Sequence, residues 1–469
     1  MNIIDTIQVI IYLIVTLIIG YRSGRYVKTI NEFSVGGKTL PTAALVATIF
    51  ATWAGGDDLI GTGEVYTVGI IFLAINLAQI INLAVQAYFI APKILRDFSD
   101  KVSIGEIMGE LYGNVGRIVT GIATIGMAIG SIAAQVSSLG YVGSLIPGVS
   151  YLGGIIAGSA IVILYSAYGG VRSVVSTDIL QFGILIVAIP IMANFALYNV
   201  GGLEVLLTQV PDYHLSFFSS RENWWCHVAL FCICAFNYFT PTLTQRILMA
   251  KDAKQAGHSL VIAGGLFIPF FVALTLIALC AVVTYPNCEP NMVFLTVLKN
   301  SLPAGIQGLA VIGVLAVIMS TADSHINVAT VSIIRDIIVI LFPSINSKKQ
   351  LILARIGTVL FGISAVFIAS SLNRVVEFWV YCADFWMPVV TAPMLLYIFN
   401  IKTNTKQYVF SAIIGAITVI VAQKSGVKEL GMASPLIGMI ITMFTMLTIY
   451  KVSKIRSSHQ VHENCLGEL

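Results

Sequence analysis

The sequence predicts an all-helical protein that crosses a membrane many times. Hydrophobic residues make up 57% of the chain, charged residues only 10%, and the mean hydropathy is +0.92. Apolar segments long enough for a spanning helix, roughly 17–25 residues each, follow one another without a polar block that could form a soluble domain. About thirteen such segments occur, at 3–21, 41–69, 70–92, 117–146, 149–170, 175–198, 224–249, 257–284, 304–340, 351–371, 375–398, 407–423 and 432–451.

The cationic residues predict how the chain is oriented. Most of the 26 Lys and Arg residues fall in alternate loops, and Arg246 is counted there beside Lys251. The opposite loops hold only Arg221, Lys299, Arg374, Lys424 and Lys428. Because cytoplasmic loops carry the excess of Lys and Arg, we expect the N-terminus outside and the C-terminus in the cytoplasm. This distribution accounts for the net charge of +4, so it indicates no nucleic-acid partner.

The ends of the chain and its cysteines add little. The first segment is expected to stay in the mature protein, because no Lys or Arg precedes it and no small-residue cleavage site follows it. The seven Cys residues show no metal-ligand spacing, and Cys232 and Cys234 lie in an apolar segment. We therefore expect these thiols to pack as small apolar groups.

Two of the apolar segments are interrupted by residues that disfavour a regular helix. Segment two contains the paired glycines and paired acids of 55–58, and segment seven contains Pro241, which removes a backbone donor. The two interruptions lie five helices apart. Matched breaks in two five-helix halves are typical of transporters with internal repeats, and an odd number of helices makes the halves inverted.

A polar run lies inside the otherwise apolar segment 304–340. It places Ser320, Thr321, Asp323 and Ser324 within five residues. An unsatisfied polar group in hydrocarbon costs several kcal/mol, so such a cluster at membrane depth predicts an ion or ligand site. The alternative is that Ser and Thr only bond back to the carbonyl four residues earlier.

Four stretches of the chain resemble the sodium/solute symporters. They are Gly36 to Leu40 leading into 51–53, Tyr168 to Gln181, Gln245 to Leu248, and Ser320 to Ser324. The family includes proline, pantothenate, monocarboxylate, choline, sialic acid and glucose cotransporters, and the resemblance covers about residues 1–451. It implies a LeuT-like core of five plus five helices, with helices 2 and 7 broken and with extra peripheral helices.

The resemblance implies sodium sites on the broken second helix and on the ninth helix. The principal site would use the carbonyls of Ala51, Ala54 and Val317 and the hydroxyls of Ser320 and Thr321. A possible second cation site would use Asp178, Asp323 and Ser324. Two adjacent carboxylates need a cation or a proton between them. Asp178 could instead cap a helix at the membrane interface or pair with Arg172.

Substrate recognition is expected beside the two breaks. The candidate residues are Trp53, Asp58, Asn237, Tyr238 and Pro241. A tryptophan face can hold an ammonium group by cation–π attraction, with Asp57 or Asp58 as the countercharge. Proline-transporting relatives have aromatic residues at two positions of segment seven. This chain has Ile233 and Asn237 at those positions, which disfavours proline as the substrate. The alternatives are packing for Trp53 and a solvated outer vestibule for the two acids.

These features predict a secondary active transporter that carries a small organic solute with sodium by alternating access. The solute is expected to be an amino acid such as proline or a quaternary ammonium compound such as choline or betaine. Three alternatives remain: proton coupling, to which His325 could contribute; a monocarboxylate or pantothenate carrier; and, less favoured, a passive channel. No enzyme motif occurs, so we expect no catalytic residue, no cofactor, no metal other than Na⁺ and no obligate protein partner.

The predicted division of the chain follows from the repeat. It comprises an N-terminal peripheral helix (1–30), a first inverted repeat (31–200), a second inverted repeat (201–400), two peripheral helices (401–451) and a cytoplasmic tail (452–469). The short loops favour a bacterial inner membrane as the location.

Overall fold

The computed structural model describes residues 1–217, 224–372 and 375–466. These ranges are helical almost throughout and contain no β-strand. The expected all-helical fold is therefore confirmed. The last three residues of the predicted tail lie outside the described ranges.

The helices of the first half of the chain differ widely in length. They are α1 (Ile3–Gly24), α2 (Ile30–Val35), α3 (Thr42–Trp53), α4 (Gly56–Val68), α5 (Ile71–Val85), α6 (Ala91–Asp97), α7 (Ile104–Gly143), α8 (Tyr151–Val200) and α9 (Leu203–Gln209). A π-helical turn at Gln86–Ile90 joins α5 to α6.

The helices of the second half follow a similar pattern of long spans and short connectors. They are α10 (Trp224–Phe236), α11 (Pro241–Met249), α12 (Ala253–Thr284), α13 (Val293–Ser301), α14 (Ile306–Ser332), α15 (Val339–Leu341), α16 (Ser347–Ser371), α17 (Val375–Asp384), α18 (Ala392–Ile398), α19 (Thr405–Lys424), α20 (Lys428–Met432) and α21 (Ser434–Leu466). A π-helical turn at Ile333–Ile338 continues α14.

The number of membrane spans agrees with the prediction once breaks within helices are considered. In the described residues eleven helices are long and apolar enough to cross a membrane, or twelve if Ile30–Lys38 and Thr42–Trp53, bent by 114°, form one span. The expected segment 41–69 is not among the eleven, because its break divides it into α3 and α4 of 12 and 13 residues. The expected segments 149–170 and 175–198 are joined in α8.

Both expected interruptions are present as breaks in the backbone. After α3, Ala54 and Gly55 adopt extended conformations, with ψ of 104° and 168°, before α4 begins at Gly56. Between α10 and α11 the chain leaves the helix at Asn237, and Phe239 has a φ of +61°. Pro241 then opens α11 at its first position, where the missing N–H costs no helical hydrogen bond.

Helix α14 lies at the centre of the molecule. From Ala310 to Ser332 every residue except His325 is buried. It packs chiefly against α7 and α8. A helix that is covered on all sides has no lipid-facing surface, so the polar residues of 320–324 lie inside the protein rather than against hydrocarbon.

A single glycine divides the long helix α8. At 50 residues an unbroken helix would be about 75 Å long, more than twice the hydrocarbon thickness of about 30 Å. Gly170 has φ 52° and ψ −142°, which side-chain-bearing residues rarely adopt. A Cβ there would lie 2.5 Å from the Phe33 ring. The break at Gly170 thus separates two spans and lets α2 pack against α8.

We expect Gly170→Ala to destabilise the protein strongly, because the residue must adopt a strained conformation, at a cost of about 1–3 kcal/mol, and must also displace Phe33. Gly183→Ala in the same helix is the matched control, since its Cβ meets nothing within 4 Å. The measurement is the thermal unfolding midpoint of both variants in detergent. Equal midpoints would contradict the assignment of Gly170 as the required break.

Candidate functional site

The first break and the central helix meet through two hydroxyl groups. The Ser320 hydroxyl lies 2.7 Å from the carbonyl oxygen of Ala51, and the Thr321 hydroxyl lies 3.1 Å from that of Ala54. Both hydroxyls also lie near the carbonyl of Val317, at 3.0 and 3.1 Å. All five oxygens predicted for the principal sodium site are therefore brought together in the buried interior.

The break explains why two of these carbonyls are available. In a continuous helix the carbonyl of Ala51 would accept from the N–H of Gly55, but that N–H donates to the carboxylate of Asp58 at 3.1 Å. The N–H of Asp58 in turn donates to the Gly55 carbonyl and not to that of Ala54. Both carbonyls are thus released from the helical pattern and point to α14.

Ser320 and Thr321 also make the contacts expected of hydroxyls that bond back to carbonyls of their own helix. The Ser320 hydroxyl lies 2.8 Å from the carbonyl of Ala316, and the Thr321 contact with Val317 also spans four residues. These contacts are the ones that Ser and Thr commonly make within membrane helices. The two contacts across to α3 are additional to them, and they distinguish these residues from ordinary helical hydroxyls.

The three residues of the predicted second cation site also cluster. Asp178 on α8 accepts from the Thr48 hydroxyl at 2.5 Å, and Asp323 on α14 accepts from the Tyr165 hydroxyl at 2.6 Å. Ser324 lies 3.4 Å from the Asp323 carboxylate. Asp178, Asp323 and Ser324 are all fully buried. One carboxylate oxygen of Asp178 has no hydrogen-bond partner.

Arg246 enters this cluster, and the expectation that it lies in a cytoplasmic loop is wrong. Its side chain is buried and donates to the hydroxyls of Ser324 at 2.6 Å and Thr52 at 2.9 Å. The same guanidinium nitrogen lies 3.7 Å from the carboxylate of Asp178. The position five residues after Pro241 could have indicated this, because a helix that begins at a mid-membrane break keeps its first turns inside the protein.

Arg172 does not pair with Asp178. Its guanidinium instead donates to the carbonyl of Gly36 at 3.2 Å. Asp178 is buried beside Arg246 and not at a helix end. Neither alternative for Asp178, an interfacial cap or an Arg172 partner, fits the observed contacts.

The substrate candidates divide between the two breaks. Trp53, at the end of α3, donates its indole N–H to Gln79 at 2.5 Å, and Asp58 caps the start of α4. At the second break the carbonyl of Tyr238 accepts from Trp386 and Thr391, at 3.4 and 3.0 Å.

Two contacts connect the breaks to their surroundings. Asn82 on α5 donates to the carbonyl of Cys234, at 3.0 Å, near the end of α10. Gln79, which accepts from Trp53 at the first break, lies one turn before Asn82 on the same helix. The second break is therefore next to the first. Gln79 and Asn82, which place both breaks, carry no motif by which the sequence could have singled them out.

His325 has a local hydrogen-bonding role. Its Nδ1 lies 2.9 Å from the carbonyl of Thr321, one helical turn earlier, and the side chain is only half-buried. This contact is that of a structural histidine whose N–H donates to the backbone. The ring is one residue beyond the second cluster, and within the described part of the chain it makes no hydrogen bond to Asp323 or Asp178.

The chain is similar to known membrane transporters over most of its length. The model of the "Sodium:solute symporter family" matches residues 33–415. High-affinity choline transporter 1 of Drosophila melanogaster is 24% identical over 432 residues, which cover 87% of this chain and 68% of the relative. Sodium/proline symporter 2 of Staphylococcus saprophyticus is 22% identical, with 96% and 92% covered.

The fold is shared with a solved transporter. A Na⁺-coupled sialic acid symporter in a substrate-bound outward-open state superposes with a TM-score of 0.88 at 19% identity, covering 96% of this chain and 98% of that one. The likeness confirms the LeuT-like arrangement with broken helices. With the family match over most of its length, the chain belongs to the sodium:solute symporter family, and it is a membrane transporter that couples sodium to the symport of a small solute.

Proposed function

We propose that the chain carries a small nitrogen-containing solute, an amino acid such as proline or a quaternary ammonium compound such as choline or betaine. Sodium binding at Ala51, Ala54, Val317, Ser320 and Thr321 would drive this transport. The observation that carries the proposal is the convergence of two freed carbonyls and two hydroxyls on one point. Oxygen ligands of this kind suit a hard monovalent cation, and unwound backbone supplies them in transporters of this architecture.

The position of the sodium site supports a mechanism of alternating access. The ion would lie between α3, which ends at a break, and α14, which is the buried centre. A cation shared by the two helices would stabilise the arrangement in which they are in contact, and its release would let them separate. A substrate bound beside the same break would act together with the ion in shifting the balance between the outward-open and inward-open arrangements.

The sodium gradient supplies enough free energy for accumulation. One sodium ion moving inward down 100 mV gains about 2.3 kcal/mol, and a tenfold concentration gradient adds about 1.4 kcal/mol. Together these support a substrate gradient of several hundredfold.

The second cluster is proposed to take one further monovalent cation. Asp178 and Asp323 carry two negative charges if both are ionised, and the Arg246 guanidinium supplies one positive charge beside them. A buried negative charge without a partner is strongly disfavoured, so one cation, sodium or a proton, would neutralise the remainder. Ser324 and the free oxygen of Asp178 are the ligands that fit.

The substrate is proposed to bind between the breaks, at Trp53, Asp58, Asn237, Tyr238 and Pro241. The choline and proline transporters among the relatives both carry solutes with a cationic nitrogen, which supports this class. The monocarboxylate and pantothenate alternative is less favoured, because those solutes carry a carboxylate but no cationic nitrogen that could pair with Asp57 and Asp58.

The remaining proposals concern the chain as a whole. We propose inverted repeats at 31–200 and 201–400, flanked by the peripheral segments 1–30 and 401–451. The N-terminus is proposed to lie outside a bacterial inner membrane, and the tail 452–469 in the cytoplasm. The distribution of Lys and Arg supports this orientation.

Removal of one hydroxyl should weaken sodium activation. We expect Thr321→Val, which keeps the side-chain shape, to raise the sodium concentration for half-maximal uptake by roughly tenfold or more, since it loses one ligand and leaves the Ala54 carbonyl unpaired. Thr330→Val on the same helix is the control, because that hydroxyl contacts Thr358 instead. The measurement is uptake by proteoliposomes under an inward sodium gradient. Uptake driven equally by a proton gradient without sodium would favour proton coupling.

The second cation should appear in the sodium dependence of transport. For the wild type we expect a Hill coefficient above one, falling to about one in Asp323→Asn, because the neutral side chain no longer requires a cation. The exposed Asp212→Asn is the control for loss of a negative charge. A wild-type coefficient of one, unchanged in Asp323→Asn, would contradict a second sodium ion.

The guanidinium and the carboxylate of the second cluster should be energetically coupled. We expect Arg246→Gln to lower the free energy of unfolding by about 3–5 kcal/mol, because it leaves buried carboxylates without a cation. Arg246→Gln combined with Asp178→Asn should lose less than the single variant. Thermal unfolding in detergent measures both, with the exposed Arg22→Gln as control. Strictly additive effects would show that the two residues do not interact.

A further inference from the structure

The paired acids at the first break have no cationic partner. Among the described residues, no Lys, Arg or His forms an ion pair with Asp57 or Asp58. This differs from the second cluster, where Arg246 accompanies the carboxylates. A carboxylate that is not paired within the protein is free to attract a positively charged ligand.

The two acids have different local roles. The Asp58 carboxylate accepts from the N–H of Gly55 and so caps α4. Asp57 is exposed, and its carboxylate lies over Gly55, where a Cβ would be 2.0 Å from it. Capping therefore explains Asp58 but leaves the Asp57 carboxylate available to a ligand.

A buried amide on another helix points to the same place. Gln135 of α7 is only 5% exposed, and its side-chain oxygen has no hydrogen-bond partner. That oxygen would lie 2.8 Å from a Cβ on Gly56, so the amide reaches over the residue next to Asp57. A buried acceptor without a donor is costly, and a ligand that supplies an N–H would satisfy it.

The start of α4 does not offer a site for a substrate carboxylate. Free N–H groups at a half-helix terminus are what commonly bind an anionic group in this architecture. Here the acids at the second and third positions of α4 occupy that terminus, and their charges oppose another carboxylate. An amino-acid zwitterion or a betaine would bring its carboxylate against them.

We propose that the substrate is an organic cation that carries a primary or secondary ammonium group and no carboxylate. The Asp57 carboxylate accepts from the ammonium group, the Gln135 amide accepts a second N–H, and Asp58 holds the helix terminus in place. This inference rests on the proposed function, because it assumes the same sodium-coupled transport and the same substrate site. It replaces the amino acids and quaternary ammonium compounds named there with another class of small nitrogen-containing solute. It disfavours trimethylammonium compounds, which have no N–H to donate, as well as zwitterions.

Four small compounds separate the two features of this proposal. Ethanolamine and choline lack a carboxylate, whereas glycine and betaine carry one. In each pair the first compound has a primary ammonium group with N–H donors, and the second has a trimethylammonium group without them. In proteoliposomes with an inward sodium gradient, we expect uptake of ethanolamine to exceed that of choline, and both to exceed uptake of glycine and betaine. Equal uptake of choline and ethanolamine would overturn the N–H requirement. Uptake of glycine equal to that of ethanolamine, or of betaine equal to that of choline, would overturn the requirement for a net cation.

Variants at the acids test the assigned contacts. We expect Asp57→Asn to raise the KM for ethanolamine roughly 10–100-fold, the range for loss of a charged hydrogen bond, and Asp57→Glu to restore part of the affinity. Glu64→Gln, two turns further along α4 and exposed, is the matched control and should change little. An unchanged KM in Asp57→Asn, or an equal rise in Glu64→Gln, would contradict the proposal.

Sodium-induced thermal stabilisation separates failure of this inference from failure of the proposed function. It should persist in Asp57→Asn, which also shows that the variant is folded, and be reduced in Thr321→Val. If sodium stabilises the wild type but none of the four compounds is taken up or competes at millimolar concentration, the substrate class is wrong and the sodium site stands. If sodium has no effect, the proposed function fails first.

Discussion

The arrangement of this transporter depends on backbone carbonyls that the first break releases from α3. A continuous helix would pair the carbonyls of Ala51 and Ala54 internally, whereas the extended residues Ala54 and Gly55 leave both directed at α14. The capping carboxylate of Asp58 takes the N–H that would otherwise close the helix. One local irregularity thus frees the carbonyls that are proposed as cation ligands, positions the acids, and joins α3 to the buried centre of the molecule.

The second cluster shows how a protein can keep several charges inside a membrane. Two carboxylates, one guanidinium and several hydroxyls share a volume from which solvent is almost absent. Some hydroxyls contribute to more than one contact, as when Ser324 bonds both Arg246 and Thr52. Such a network is sensitive to the gain or loss of one charge. This property suits a site whose occupancy is to be linked to transport.

The acids near Asp178 and those near Asp57 are balanced in different ways. Around Asp178 the protein supplies a permanent cation, Arg246, whereas around Asp57 it supplies capped backbone and neutral amides. The first arrangement retains its charge balance when substrate leaves. The second has a net charge that a cationic substrate would neutralise, so substrate binding and electrostatic stabilisation of the broken helix would occur together.

The sequence by itself determined the helical membrane class, the two breaks and the polar run of 320–324, because composition, glycine, proline and polar residues in an apolar helix are local signals. The ligand set proposed for sodium came from the resemblance to the sodium/solute symporters. Only the tertiary structure decided which side chains meet across helices. Arg246 counted as a loop cation in the sequence, and Gln79, Asn82 and Gln135 carried no signal at all. Their roles come from the crossing of α5, α7 and α11 with the broken helices, and no spacing along the chain encodes such a contact.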